Sequence, residues 1–287
     1  MNKSHLFAGL LLSLCSVLPM NADKFGIWTE TEFAHDLGNT GLGLDFDLGF
    51  RAGNNLKNVD RWNAGLALSY DICPFLKISG GYTYIYSYSP SSSETKYKKD
   101  DNGQYILDNN GQMVYNGYNT TNGYWRSKNR FFVDLKGKYT IGRFTFGLRE
   151  RYQATIFNHT WVNEDKYRFN TIVDPEGNKS YELKNGYPER NIDYKRHKTT
   201  HYLRSRIEAE YNVPHSKVDP YAWFMLSNNL SNGFAIDKRR YSVGADWKIQ
   251  KGMHLSVGYI YNSGNDDDDD GRLHAIEISY KIKGLFF

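Results

Sequence analysis

The sequence predicts an all-β fold, a transmembrane antiparallel up-and-down β-barrel. Three observations lead there. From residue 25 onward apolar and polar residues alternate with period two, in segments of about 10–13 residues. The connections alternate between short and long, as short periplasmic turns and long extracellular loops require. Mean hydropathy is −0.66 although 16% of residues are aromatic. A barrel reconciles these last figures by turning apolar side chains to lipid and polar ones to a lumen. Lipid cannot satisfy backbone N–H and C=O groups, so a sheet in it must close on itself.

The first 22 residues read as a signal peptide. Lys3 supplies the charged start, Leu6–Leu18 the apolar stretch, Pro19 the break and Ala22 the small residue before a cut. Met20 fits the cleavage site poorly, which blurs the cut by a few residues. Leu14 before Cys15 argues against lipidation. Removing residues 1–22 takes Lys3 with it and lowers the net charge by one from +4. Cys73 is then the lone cysteine, so the exported domain, residues 23–287, holds no internal disulfide. Near-neutral charge excludes nucleic acid as a partner. No apolar run is long enough for a membrane-spanning helix.

The segments follow in order. Residues 25–34 open the domain. In 40–51, Leu42, Leu44, Phe46, Leu48 and Phe50 oppose Gly43, Asp45, Asp47, Gly49 and Arg51. In 60–72, Trp62, Ala64, Leu66, Leu68 and Tyr70 share one face, and 76–88 carries a tyrosine stripe from Tyr82 to Tyr88. Phe131, Val133 and Leu135 mark 126–139, while Phe144, Phe146, Leu148 and Tyr152 mark 143–157. Segments 199–213, 220–230, 238–249, 253–262 and 272–284 complete the pattern, with IKGLFF and Phe287 as an aromatic carboxyl end. Glu150 falls on an apolar face, which a bulge would explain. A soluble exported sandwich would also alternate, but with shorter strands.

Single-chain barrels of this kind use even numbers of strands, so the eleven segments imply ten or twelve. Trp28, Trp62, Tyr88, Trp125, Tyr221, Trp223 and Trp247 lie near segment ends, as interfacial girdles do. Short connections are expected at Asp71–Pro74, Ile141–Arg143, Pro214–Asp219 and Gln250–Gly252. Long ones are expected at Ser89–Tyr124, Asn158–Lys198, Leu230–Asp237 and Ser263–Gly271.

The polar faces concentrate charge. Glu30, Glu32, Asp45 and Asp47 fall on the first two segments. Arg126, Lys128, Arg130, Lys136, Lys138, Arg149, Arg151, Arg204 and Arg206 fall on the fifth to seventh. In a closed barrel an acidic wall would face a basic wall. Two outcomes are open, a salt-bridged plug or a transverse field that selects small anionic or zwitterionic solutes.

Asp101–Trp125 contains two near-copies, DNGQ and NNGQ, and reads as a hairpin above the membrane. Its tyrosine- and asparagine-rich surface could meet extracellular glycans. Asp266–Asp270 lacks the spaced ligands of a calcium loop and reads as a solvated acidic loop. NLSNG (Asn229–Gly233) resembles part of an outer-membrane phospholipase motif, but Asn229 stands where the base should be. His201, His254 and His274 lie on separate segments without metal-ligand spacing.

The stretches GGYTYIY, NRFFVDLKGKYTIGRFTFGLRERY, LRSRIEAEYNV and RRYSVGADWKI, with WTE and Arg61-Trp62 before them, resemble the outer-membrane family known as domain of unknown function 2490. The family is common in Bacteroidota. The resemblance spans residues 25–284 and implies a barrel with a Gram-negative outer-membrane address. It brings no activity, ligand or catalytic residue. The expectation is a cofactor-free, non-enzymatic barrel in contact with outer-membrane lipid, either a narrow porin-like channel or a surface scaffold. A lipid-modifying enzyme, of phospholipase or lipid A-modifying type, is the alternative.

Overall fold

A computed structural model of the chain describes residues 24–53, 56, 58–264 and 272–284. The signal-like leader, the Asp266–Asp270 run and Phe287 lie outside the described residues. The described strands, in chain order, are β1 (Lys24–Asp36), β2 (Leu42–Gly53), β3 (Asn58–Cys73), β4 (Leu76–Ser89), β5 (Ser92–Tyr97), β6 (Tyr115–Thr121), β7 (Tyr124–Ile141) and β8 (Phe144–Phe157). They continue with β9 (Thr160–Val173), β10 (Lys179–Leu183), β11 (Glu189–Lys195), β12 (Lys198–Tyr211), β13 (Val218–Asn229), β14 (Ala235–Gln250), β15 (Met253–Gly264) and β16 (Leu273–Lys283).

Eleven strands close a barrel in the order β1-β16-β15-β14-β13-β12-β8-β7-β4-β3-β2. The expected count of ten or twelve is corrected by this closure. Neighbours are antiparallel except at the seam, where β1 runs parallel to β16 from Lys24–Leu273 to Ala34–Lys283. The reason is directional. In an odd meander the first and last strands point the same way, so only a parallel ladder can join them.

Alternation inverts the usual inside and outside. Phe46, Leu66, Val133 and Trp247 are 38–52% exposed on the outer face, whereas Asp134, Gln153, Thr155 and Asn262 are fully buried on the inner one. Along β7, Arg126, Lys128, Arg130, Phe132 and Asp134 are buried while Phe131, Val133 and Leu135 between them are exposed. The Gly142-Arg143 turn joins β7 to β8, and Gly142 takes a left-handed φ of 61° that suits glycine there.

Three girdle assignments need correction. Trp28 is buried inside, with the Arg51 and Arg240 guanidinium groups 4.0 and 4.8 Å from its ring. Trp223 packs against the buried cluster of Trp28, Ile260, Leu273 and Ala275. Tyr221 meets Ser242 on the inner side. A lumen packed like a core recruits aromatics as readily as an interface does. Trp62, Trp125 and Trp247 lie on the outer side, Trp125 stacked on Tyr86 at 4.9 Å.

Glu150 is not bulged. The ladders of β8 with β7 and β12 run through it without a register shift. Its carboxylate therefore stays on the outer face and accepts a 2.7 Å hydrogen bond from Ser205 Oγ on β12. One pair over, Tyr152 Oη and His201 Nδ1 are 2.9 Å apart.

The long connections are not loops. Residues 89–124 and 158–198 form two hairpins that share one sheet, in which β6 pairs with β9. Residues 230–234 form a short turn, since β14 begins at Ala235. The sheet is a direct continuation of the wall. Lys198–Phe157 and Lys195–Thr160 lie in one register, as do Lys128–Phe157 and Gly117–Arg168.

Candidate functional site

Two surfaces concentrate chemistry, the lumen and the hairpin sheet above it. The lumen has two halves. Toward the hairpins, side chains fill it. Arg126 donates 2.7 Å hydrogen bonds to the carbonyls of Asn158 and Arg196. Phe157 receives Arg126, Lys128 and Lys198 around its ring at 5.3, 4.7 and 4.6 Å. Arg130 Nε donates to Thr155 Oγ1 at 3.1 Å, and Arg240 Nε to Asn262 Oδ1 at 2.6 Å. Lys238 and Ile85 are buried in the same half, and Arg204 is buried at its boundary, directly opposite Arg151. Cationic stems laid over aromatic rings bury their methylenes and keep their charge solvated by carbonyls and hydroxyls.

Toward the short turns the wall is wetter. Glu30 is exposed there, and Glu32, Asp45, Asp47, Lys136, Arg149, Arg151 and Arg206 are partly exposed. These residues occupy opposite walls, because β8 lies five strands from β1 one way round and six the other. Glu32 lies within electrostatic reach of Lys136, and Asp47 of Arg151. Most charges also find local partners. Asp134 takes a bidentate bond from Arg151 at 2.5 and 2.6 Å, Glu32 pairs with Lys281, and Glu208 with Arg206 and Lys138. The division into an acidic and a basic wall left out Asp134 and Glu208, although both fall on the polar faces of their segments. Their signal was present, since both share the inward parity of the neighbouring cations.

The hairpin sheet has unlike faces. One carries Trp161 against Tyr194 at 4.5 Å, Tyr118 stacked on Tyr167 at 4.5 Å, and Tyr115 between Phe169 and Tyr181. The other carries Lys96–Glu94 and Lys195–Asp193 pairs at 2.6 Å, with Glu164 accepting from Asn119 and Asn191. Period-two alternation produces this division, and the register shift between Lys96 and Tyr97 brings Tyr115 onto the aromatic face.

Three tips share one device. Asp100, Asp108 and Asp174 each accept, through Oδ1, the backbone N–H of the residue four positions on. Gly103, Gly111 and Gly177 supply the positive φ at the third position after each aspartate. The pattern is D-x-x-G-[QN], and the two near-copies in the sequence are parts of it. At Asp108 the Gln112 N–H holds the carboxyl below its ordinary range, followed by Lys179, whose Nζ ties the hairpins together at 3.0 Å.

Asn229, in the phospholipase-like NLSNG, is used structurally. Its Nδ2 donates to Asp237 Oδ2 at 2.8 Å and its Oδ1 accepts from Ser231 N at 3.0 Å. Among the described residues no group of three or more His, Cys, Asp or Glu could hold a metal ion.

No curated protein matches the chain. Among solved structures, the NanC porin in a rhombohedral crystal form is 9% identical, with a TM-score of 0.36, over 91% of this chain and 97% of that one. A likeness of that size adds nothing to the geometry. The model of the family described as "Protein of unknown function (DUF2490)" matches residues 25–272. The match covers most of the chain and nearly all of the barrel, and the protein belongs to that family.

Proposed function

We propose that this protein is a non-enzymatic outer-membrane scaffold, exported through a cleaved leader over residues 1–22. Its outer face lies in lipid, its barrel does not conduct, and its hairpin sheet is the working surface outside the cell. The observation that carries the reading is the filled hairpin-side lumen. Ile85, Gln153, Thr155, Ser227, Ile260 and Asn262, drawn from the four wall strands β4, β8, β13 and β15, are at most 1% exposed. A water-filled pore would leave such wall residues wet, whereas small barrels fill with their own side chains.

Support for lipid outside comes from the continuous exposure of Leu44, Leu66, Leu135, Leu148, Ile207 and Val243 around the wall. In water that band would be an aggregation surface. In hydrocarbon it is the favourable solvent contact, and closure satisfies the backbone. The aromatic hairpin face offers flat rings interleaved with amide and hydroxyl groups, a surface suited to extracellular glycans.

Planar-bilayer recording of the purified full-length protein tests the closed lumen. No unitary conductance above the detergent baseline is expected at any salt concentration. Steady, protein-dependent channels would overturn the scaffold reading and favour a narrow porin-like channel.

A further inference from the structure

The wet half of the lumen holds an arrangement that the scaffold role does not use. Arg149 on β8 lies directly opposite Lys136 on β7 and directly opposite Arg206 on β12. Three cations thus stand side by side across three adjacent strands on the inner face. Like charges paired directly across a ladder repel each other, and such a row is retained only if something offsets it.

The nearby carboxylates do not supply the offset. Asp134 is engaged side-on by Nε and Nη2 of Arg151, with Lys136 further off at 3.7 Å. Glu208 is shared between Arg206 and Lys138. Among the described residues Arg149 forms no ion pair, and its Nε is buried without a hydrogen-bond partner. Arg206 Nε is in the same condition. Guanidinium N–H groups are donors only, so a buried unpaired one costs free energy until an acceptor arrives. Below the row, Gly147 presents no side chain, and Glu208 leans over it. Lys138, Glu208 and Glu210 then lead to the short-turn rim, with Lys138 exposed and both glutamates partly so.

We propose that the row Lys136–Arg149–Arg206 is the binding side of a vestibule for a small oxyanion, entered from the short-turn rim. The ligand class is a phosphate, sulfonate or carboxylate with two or more acceptor oxygens. A planar guanidinium holds such groups through paired N–H bonds, and Lys136 adds a point charge. Glu30, Glu32 and Asp47 on the opposite wall limit the size and charge of what enters. The proposal concerns the open half and stands whether or not the hairpin half conducts.

The test is unfolding and calorimetric titration of the full-length barrel in a phosphate-free maltoside detergent. Inorganic phosphate is the probe, against sodium chloride at matched ionic strength. Phosphate is expected to raise the unfolding midpoint saturably, with chloride inert over the same range. Arg149→Met should weaken phosphate binding by at least about tenfold, the scale of one lost charge-assisted contact. In chloride alone the same variant should unfold later than the wild type, because the row loses its central repulsion. If Arg149→Met does not assemble, Lys136→Gln gives the same readout with a smaller loss. Equal shifts from phosphate and chloride, or phosphate binding undiminished in both variants, would overturn the proposal.

Discussion

Leu66→Arg and Leu148→Arg should each destabilise the barrel in lipid by about 2–4 kcal/mol, the cost of a cation at mid-depth on a lipid-facing strand. Ile192→Arg on the hairpin sheet should change stability by less than about 0.5 kcal/mol, as for an ordinary surface site. The comparison is sharp because exposure does not distinguish the sites. Leu66 is 52% exposed, Leu148 51% and Ile192 63%. If water bathed all three, the three changes would be equally mild. Urea-dependent folding into phospholipid vesicles, followed by gel mobility, measures the difference. Equal and small effects at all three positions would remove the membrane from the account.

Trp28→Ala should cost about 3–5 kcal/mol, the range for a large buried aromatic truncated to a methyl. The loss goes beyond apolar area. Trp28 separates Arg51 from Arg240 and anchors the cluster of Ile260, Leu273 and Ala275. Removing it leaves two guanidinium groups without their aromatic partner and empties the centre of the filled half. The same vesicle assay reads the stability, and bilayer recording should show that this variant, unlike the wild type, leaks ions. A variant as stable and as tight as the wild type would mean that Trp28 does not plug the lumen.

Much of the fold was legible because a closed barrel with an apolar outer face obeys one simple rule at every second residue. The outward stripe Leu44–Phe46–Leu48–Phe50 and the inward cations of β7 and β8 follow from parity alone. The strand number was not legible. Nothing in Lys24–Asp36 distinguishes a strand that closes in parallel from one that closes antiparallel, since the seam depends on a partner 249 residues away. Trp28 and Trp223 were misplaced for a related reason. Their strands carry apolar residues on both faces, so period two loses its contrast where the lumen is dry. Glu150 shows the opposite case, in which the alternation was correct and the residue itself is the exception. The Asn-Gly turns of Asp101–Trp125 pointed to one hairpin, but the second hairpin and the sheet the two share read as loops until β6 and β9 are seen to pair. Within the candidate site the basic row was visible from parity. Its lack of compensation was not, because that depends on which cations Asp134 and Glu208 engage.

Single-tryptophan variants in vesicles of brominated phospholipid test most directly whether lipid is the solvent of the outer face. Bromine quenches only rings it can touch. Proteins retaining Trp62, Trp125 or Trp247 alone should lose most of their emission, while those retaining Trp28 or Trp223 alone should keep it. Quenching of the inner pair with bright outer rings would contradict the account.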